Sequence, residues 1–181
     1  MQTHFLFDVL EGYQPFEQIA EESRRDGAVI AASGLAGAQK AHLACALAAK
    51  TGRPIVFLCD SERSAAQTME DVSALMGGGV SLFPAREITF YQDVAASRDV
   101  AYRRIEAMRK LVSGEVRAIV APADAMLHRV MPRAVFSANT ISLRVGDVLP
   151  TDQLIERLLA AGYTREYMVE GKGQFSVRGG I

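Results

Sequence analysis

Residues Ala28-Val29-Ile30-Ala31-Ala32-Ser33-Gly34-Leu35-Ala36-Gly37-Ala38-Gln39-Lys40-Ala41 decide the fold class of this 181-residue chain. A continuous apolar run, a glycine-rich turn and then an alanine-rich stretch over Ala38–Lys50 predict a buried strand, a loop and a buried helix. That order is the setting of a phosphate-binding loop, whose intact form is G-x-x-x-x-G-K-[ST]. Gly34 and Lys40 take the positions of the first glycine and the lysine, with Gly37 inside the loop. Gln39 replaces the second glycine, where backbone must approach phosphate closely. Ala41 replaces the hydroxyl that would ligate magnesium. Three readings stand: a working nucleotide site of unusual sequence, a degenerate site that keeps only its fold, and an ordinary glycine-rich turn. Two lost parts weigh against hydrolysis, because Lys40 by itself is one point charge at a helix start. No acidic pair follows a buried strand; Ala121-Pro122-Ala123-Asp124 comes nearest and lacks the second acid.

Working outward, strand and helix signals alternate. Gln14–Arg25 is an amphipathic helix with Phe16, Ile19 and Ala20 on one side, stopped at Gly27. Gly52-Arg53-Pro54 precedes a second buried strand, Ile55–Leu58. Asp60 or Ser61 caps a helix whose Ala65, Met69, Val72 and Met76 share a face, and Gly77-Gly78-Gly79 ends it. Val80–Phe83 and Ala118–Ala121 are strands around a helix over Arg98–Val112, with Ala101, Ile105, Met108 and Val112 inward. The alternation predicts an α/β domain over residues 1–133, a parallel sheet flanked by helices and similar to a P-loop NTPase.

From residue 134 the pattern changes to a small, incomplete α+β domain, 134–181. Thr140–Val145 alternates with period two, as a strand with one wet face does. A helix over Thr151–Ala161, with Leu154, Ile155, Leu158 and Leu159 inward, stops at Gly162. Tyr163–Val169 and Gln174–Ile181 are strands joined by a turn at Gly171-Lys172-Gly173. A last strand ending on Ile181 without a closing element is expected of a piece of a longer protein.

Composition narrows the function. A net charge of -1, from 20 basic and 21 acidic residues, supplies no overall field towards nucleic acid or an anionic membrane. Two cysteines, Cys45 and Cys59, fit packing roles in a reducing compartment. The start has no secretory signature, and no stretch reaches the roughly 18 apolar residues that span a bilayer, so a cytoplasmic protein without membrane contact is expected. His4, His42 and His128 lie apart without ligand-spaced partners, so no metal site is expected. No G-x-S-x-G elbow is present. Arg103, Arg104, Arg109 and Lys110, interspersed with Asp99 and Glu106, are expected on a solvated helix face. The final segment differs: Arg165, Phe175 and Arg178 fall on neighbouring expected strands, and arginine beside an aromatic ring is the composition of an interaction hot spot.

Several blocks, in order, resemble one family. Ser33–His42, Leu82-Phe83-Pro84-Ala85-Arg86-Glu87 with Tyr91, Gly146-Asp147-Val148, Leu154–Leu158, Ala161-Gly162-Tyr163, Met168-Val169-Glu170 and Gly173–Gly180 resemble the amino-terminal module of bacterial transcription-repair coupling factor (Mfd). That module is itself similar to the excision-repair helicase UvrB, and the resemblance runs from about Gly12 to Ile181. UvrB has an intact phosphate loop and a long DNA-clamping hairpin, whereas this chain has Gln39 and Ala41 and only eleven residues between Tyr91 and Arg103. The resemblance implies a non-catalytic adaptor that binds UvrA and takes no cofactor. The family's contact arginine matches Arg178 and an additional UvrB contact arginine matches Arg165; a further UvrB contact arginine falls on Ser176. RNA polymerase, DNA and the ATP-driven motor would engage parts of the family protein beyond Ile181. The competing expectation is a nucleotide-dependent enzyme of the helicase superfamily with a relaxed loop.

Overall fold

The computed structural model describes residues 5–86 and 98–179. Glu87 and Tyr91, and the Gly180-Ile181 end of the last expected strand, lie outside the described residues. The chain divides into two compact units, 1–129 and 130–181, each mixed α/β with a small parallel sheet.

The first unit opens with α1 (Phe5–Asp8) and α2 (Gln14–Glu22), then α3 (Gln39–Thr51). Gly52 ends α3 in the left-handed region at φ 73°, and its N–H donates to the Ala48 carbonyl. Three strands follow, β1 (Ile55–Cys59), β2 (Val80–Leu82) and β3 (Ala118–Pro122), with α4 (Glu62–Met76) and α5 (Arg98–Ser113) between them. They form a parallel sheet of order β1-β3-β2, with Ile55 and Val80 both in register with Ala118. β3 is central and buried at all five positions, as its unbroken apolar run requires. One sheet face packs Ala118 with Ala41 and Cys45 of α3 and Val72 of α4; the other packs Ile119 and Ala121 with Phe83, Ala107 and Ala125. Ser61 caps α4: its hydroxyl accepts from the Ser64 N–H while the Ser64 hydroxyl accepts from the Ser61 N–H.

Several sequence expectations change. Residues 28–32 form no strand, and Val29 is 97% exposed. An apolar run specifies burial only where a neighbouring strand can take up its N–H and C=O groups, and the described strands pair with one another instead. α5 is also turned relative to the expected face: Ile105 is exposed and Ala101 is exposed, while Arg104 and Ala107 are buried. The cause is Arg104. Its guanidinium lies 4.0 Å from the Phe83 ring centroid and donates to the carbonyls of Pro84 (2.6 Å) and Ala125 (3.5 Å), tying the chain after β2 to the chain after β3. Burial, and then Arg86, push its pKa below the ordinary value. Arg104 therefore does not share the solvated face expected for Arg103, Arg109 and Lys110.

The second unit holds α6 (Arg133–Ala138), α7 (Thr151–Ala160), β4 (Thr164–Arg165) and β5 (Gln174–Phe175). Thr140–Val145 is no strand: the Arg144 N–H donates to the Asp147 carboxylate (2.8 Å) and the Asp147 N–H to the Arg144 carbonyl (3.0 Å). That turn leaves Leu143 and Val145 exposed. The two long strands expected after Tyr163 shorten to β4 and β5, paired parallel. The short helices α1 and α6 and the 3-10 turn Ala123–Met126 had no periodic signal to announce them.

Candidate partner-docking site

The end of α7 sets up the second sheet. Gly162 adopts φ 86°, and the N–H groups of Gly162 and Tyr163 return to the carbonyls of Leu159 and Leu158, both at 3.0 Å. The reversal delivers Thr164, whose N–H donates to the Gly173 carbonyl (2.9 Å), while the Glu166 N–H donates to the Phe175 carbonyl (2.8 Å). Arg165 is then in register with Phe175. Facing residues of paired strands project to the same side of a sheet, so this cation and this ring share a face. Arg165 is exposed and Phe175 half-buried.

The connection from β4 to β5 is held by side chains. The Gln174 side-chain oxygen accepts from the N–H groups of Glu170 (2.8 Å) and Gly171 (3.1 Å). The Tyr167 carbonyl accepts from the Ser176 hydroxyl (3.0 Å) and from an Arg178 guanidinium nitrogen (3.1 Å). The Arg178 guanidinium also lies 5.6 Å from the Tyr167 ring centroid, within cation–π reach. Arg165 and Phe175 thus share a face of one small sheet, and Arg178, three residues past β5, is tied to Tyr167, a residue that sequence reasoning passed over. The signal was present, since Tyr167 stands two residues after Arg165 in extended sequence.

The loop at 34–41 has a different character. Gly34 (φ 81°) and Gly37 (φ 49°) take positive φ, as a tight turn there requires. The Gln39 side-chain oxygen accepts from the Ala36 N–H at 2.9 Å. A phosphate cradle would aim such N–H groups at the anion; here the Ala36 N–H is satisfied by Gln39. Ala41 is 3% exposed and packs into the apolar cluster of Cys45, Val72 and Ala118. Its side chain therefore faces the core, away from any ion. Lys40 is exposed. Among the described residues no group of three or more His, Cys, Asp or Glu could hold a metal ion, and no helix is long and apolar enough to cross a membrane.

Residues 141–181 match the family described as the UvrB interaction domain, which covers α7, β4, β5 and the Tyr167 connection. The chain is 32% identical over 178 residues to a transcription-repair-coupling factor of Myxococcus xanthus, covering 94% of the chain and 15% of that relative. It is 31% identical over 150 residues to the factor of Bacillus subtilis, covering 82% and 13%. The chain is a UvrB-like module of the transcription-repair-coupling-factor family. A third member, from Mycobacterium tuberculosis, is 28% identical over 147 residues, covering 78% of the chain and 12% of the relative. The chain spans less than a sixth of the length of these relatives. Within the family, this module carries its interaction-domain likeness in the second unit.

Proposed function

We propose that this chain is the amino-terminal, non-catalytic adaptor of a transcription-repair-coupling factor, and that its domain 134–181 docks UvrA. In that role it links RNA polymerase stalled at a lesion, held by other parts of the full protein, to nucleotide excision repair. The observation that carries the reading is the match of residues 141–181 to the UvrB interaction domain; Arg165 in register with Phe175, and Arg178 tied to the connection at Tyr167, support it. Domain 1–133 is read as a degenerate relative of a P-loop helicase domain, supported by its helix-flanked parallel sheet and by the loop of Gly34, Gly37, Gln39, Lys40 and Ala41. Gln39 occupying a loop N–H and Ala41 facing the core argue against ATP turnover by this chain.

Binding of purified UvrA to the chain tests the reading. Arg165→Ala and Arg178→Ala should each weaken the complex by roughly 1 to 3 kcal/mol, the range of hot-spot arginines. Unchanged affinity in both variants would remove the site assignment. A titration with ATP and magnesium tests the alternative enzyme reading: micromolar affinity with turnover would replace the adaptor reading.

A further inference from the structure

We propose that Tyr167 is the aromatic anchor of the UvrA-docking face, with Ser176 as the positioning residue under it and the contact arginine Arg178 bound to the same carbonyl. The inference rests on the docking reading above and adds a residue to it.

Tyr167 is 89% exposed, and Met168 and Val169 beside it are also exposed. Single exposed apolar residues are ordinary on a protein surface. This one is unusual in its support. Its carbonyl takes two hydrogen bonds from the far side of the β4–β5 connection, from Ser176 and Arg178, and the next turn is closed by Gln174 on the N–H groups of Glu170 and Gly171. The backbone under the ring is therefore fixed before any partner arrives, while the ring itself lies in solvent beside the Arg178 guanidinium. A tyrosine has only two side-chain torsions to freeze, so a pre-organised backbone leaves little ordering cost on binding. Exposed aromatic area with flanking guanidinium groups is the composition that dominates interface energetics.

The commitment to UvrA comes from continuity. Tyr167 lies inside the segment matching the UvrB interaction domain, two residues from Arg165, and shares its carbonyl and ring with Arg178. The complement to such a face would be an apolar recess that admits a phenyl ring, rimmed by carboxylates to meet Arg165 and Arg178.

The test is equilibrium binding of the full chain to purified UvrA, with circular dichroism of each variant as a folding check. Tyr167→Ala should weaken binding by about tenfold or more, and Tyr167→Phe should stay within about twofold, because the ring rather than the hydroxyl is the anchor. Ser176→Ala, which keeps the ring but frees its carbonyl, should fall between them, at roughly threefold, as a loss of pre-organisation. Tyr167→Ala binding like wild type while Arg165→Ala binds poorly would overturn the anchor and leave the docking reading standing. Tyr167→Phe losing as much as Tyr167→Ala would overturn it as well. A free chain that is dimeric, and that Tyr167→Ala makes monomeric with UvrA affinity intact, would assign the face to a second copy. No binding of wild type to UvrA would remove both readings.

Discussion

At the scale of single residues, two side chains show how local chemistry decides a site. Gln39 is longer than the glycine of an intact phosphate loop, and its oxygen folds back on the Ala36 N–H at 2.9 Å. The Ala36 N–H is thereby satisfied within the loop, and a donor so engaged is not aimed at an anion. Arg109 shows the opposite case, a cation fully engaged. It forks between Glu106 (3.0 Å) and Glu115 (2.7 and 3.0 Å), all three side chains being part-exposed. Arg109, and then the Ser113 hydroxyl, hold the Glu115 carboxyl down from its ordinary 4.5 to about 2. A carboxyl whose folded pKa is depressed contributes stability above its unfolded pKa and loses it as pH falls through the folded value. Glu115→Gln should therefore lower the melting temperature at neutral pH, and the gap from wild type should close between pH 4.5 and about 2. Thermal melts across that range check the sign; a gap that widened on acidification would contradict it. Because the groups are exposed, added salt should narrow the gap at neutral pH as well.

At the scale of elements, α4 and α5 contrast what pattern can and cannot specify. The cap at Ser61 and the apolar stripe through Ala65 and Val72 were legible because both depend on neighbours within one helix turn. In α5, Met108 packs on the core as expected, but Ala101 and Ile105 do not, because the inward face there is set by a contact twenty residues away in sequence. The Arg104 guanidinium stacks on Phe83 and bonds the Pro84 and Ala125 carbonyls, so a charged residue takes the buried position that Ile105 was expected to hold. Arg104→Met keeps length and apolar bulk but strands the Pro84 carbonyl. Loss of a buried, charge-assisted hydrogen bond costs about 2 kcal/mol, which for a unit of this size is roughly a 7 °C drop in melting temperature. Arg104→Lys should not fully restore it, since an ammonium can donate to the carbonyls but has no planar face to lay on the Phe83 ring. Equal melting temperatures for wild type and both variants would show that the tie between the ends of β2 and β3 carries no stability.

At the scale of the whole molecule, the two units differ in how they are held. All the buried apolar side chains of the described residues lie in the first unit, from Phe16 to Ala125. The second unit relies on a two-residue strand pair, the turn bonds of Gln174 and Asp147 and a half-buried helix face on α7. Few buried contacts mean a low free energy of local opening. Limited trypsin digestion should accordingly cut within residues 130–181 first and leave a fragment ending near Arg129 or Arg133. Saturating UvrA should slow those cuts, because binding stabilises the folded unit by mass action. Early cleavage after Arg104 or Arg117, ahead of any cut within residues 130–181, would contradict the ranking. The sequence by itself determined the central strands, the cap of α4 and the family, because each depends on residue types at short or fixed spacing. Only the tertiary structure decided that residues 28–32 and Thr140–Val145 stay unpaired, that Arg104 is buried, and that Ser176 and Arg178 converge on Tyr167. Those outcomes depend on which distant groups are available to share a hydrogen bond or cover a surface, and no local spacing encodes that.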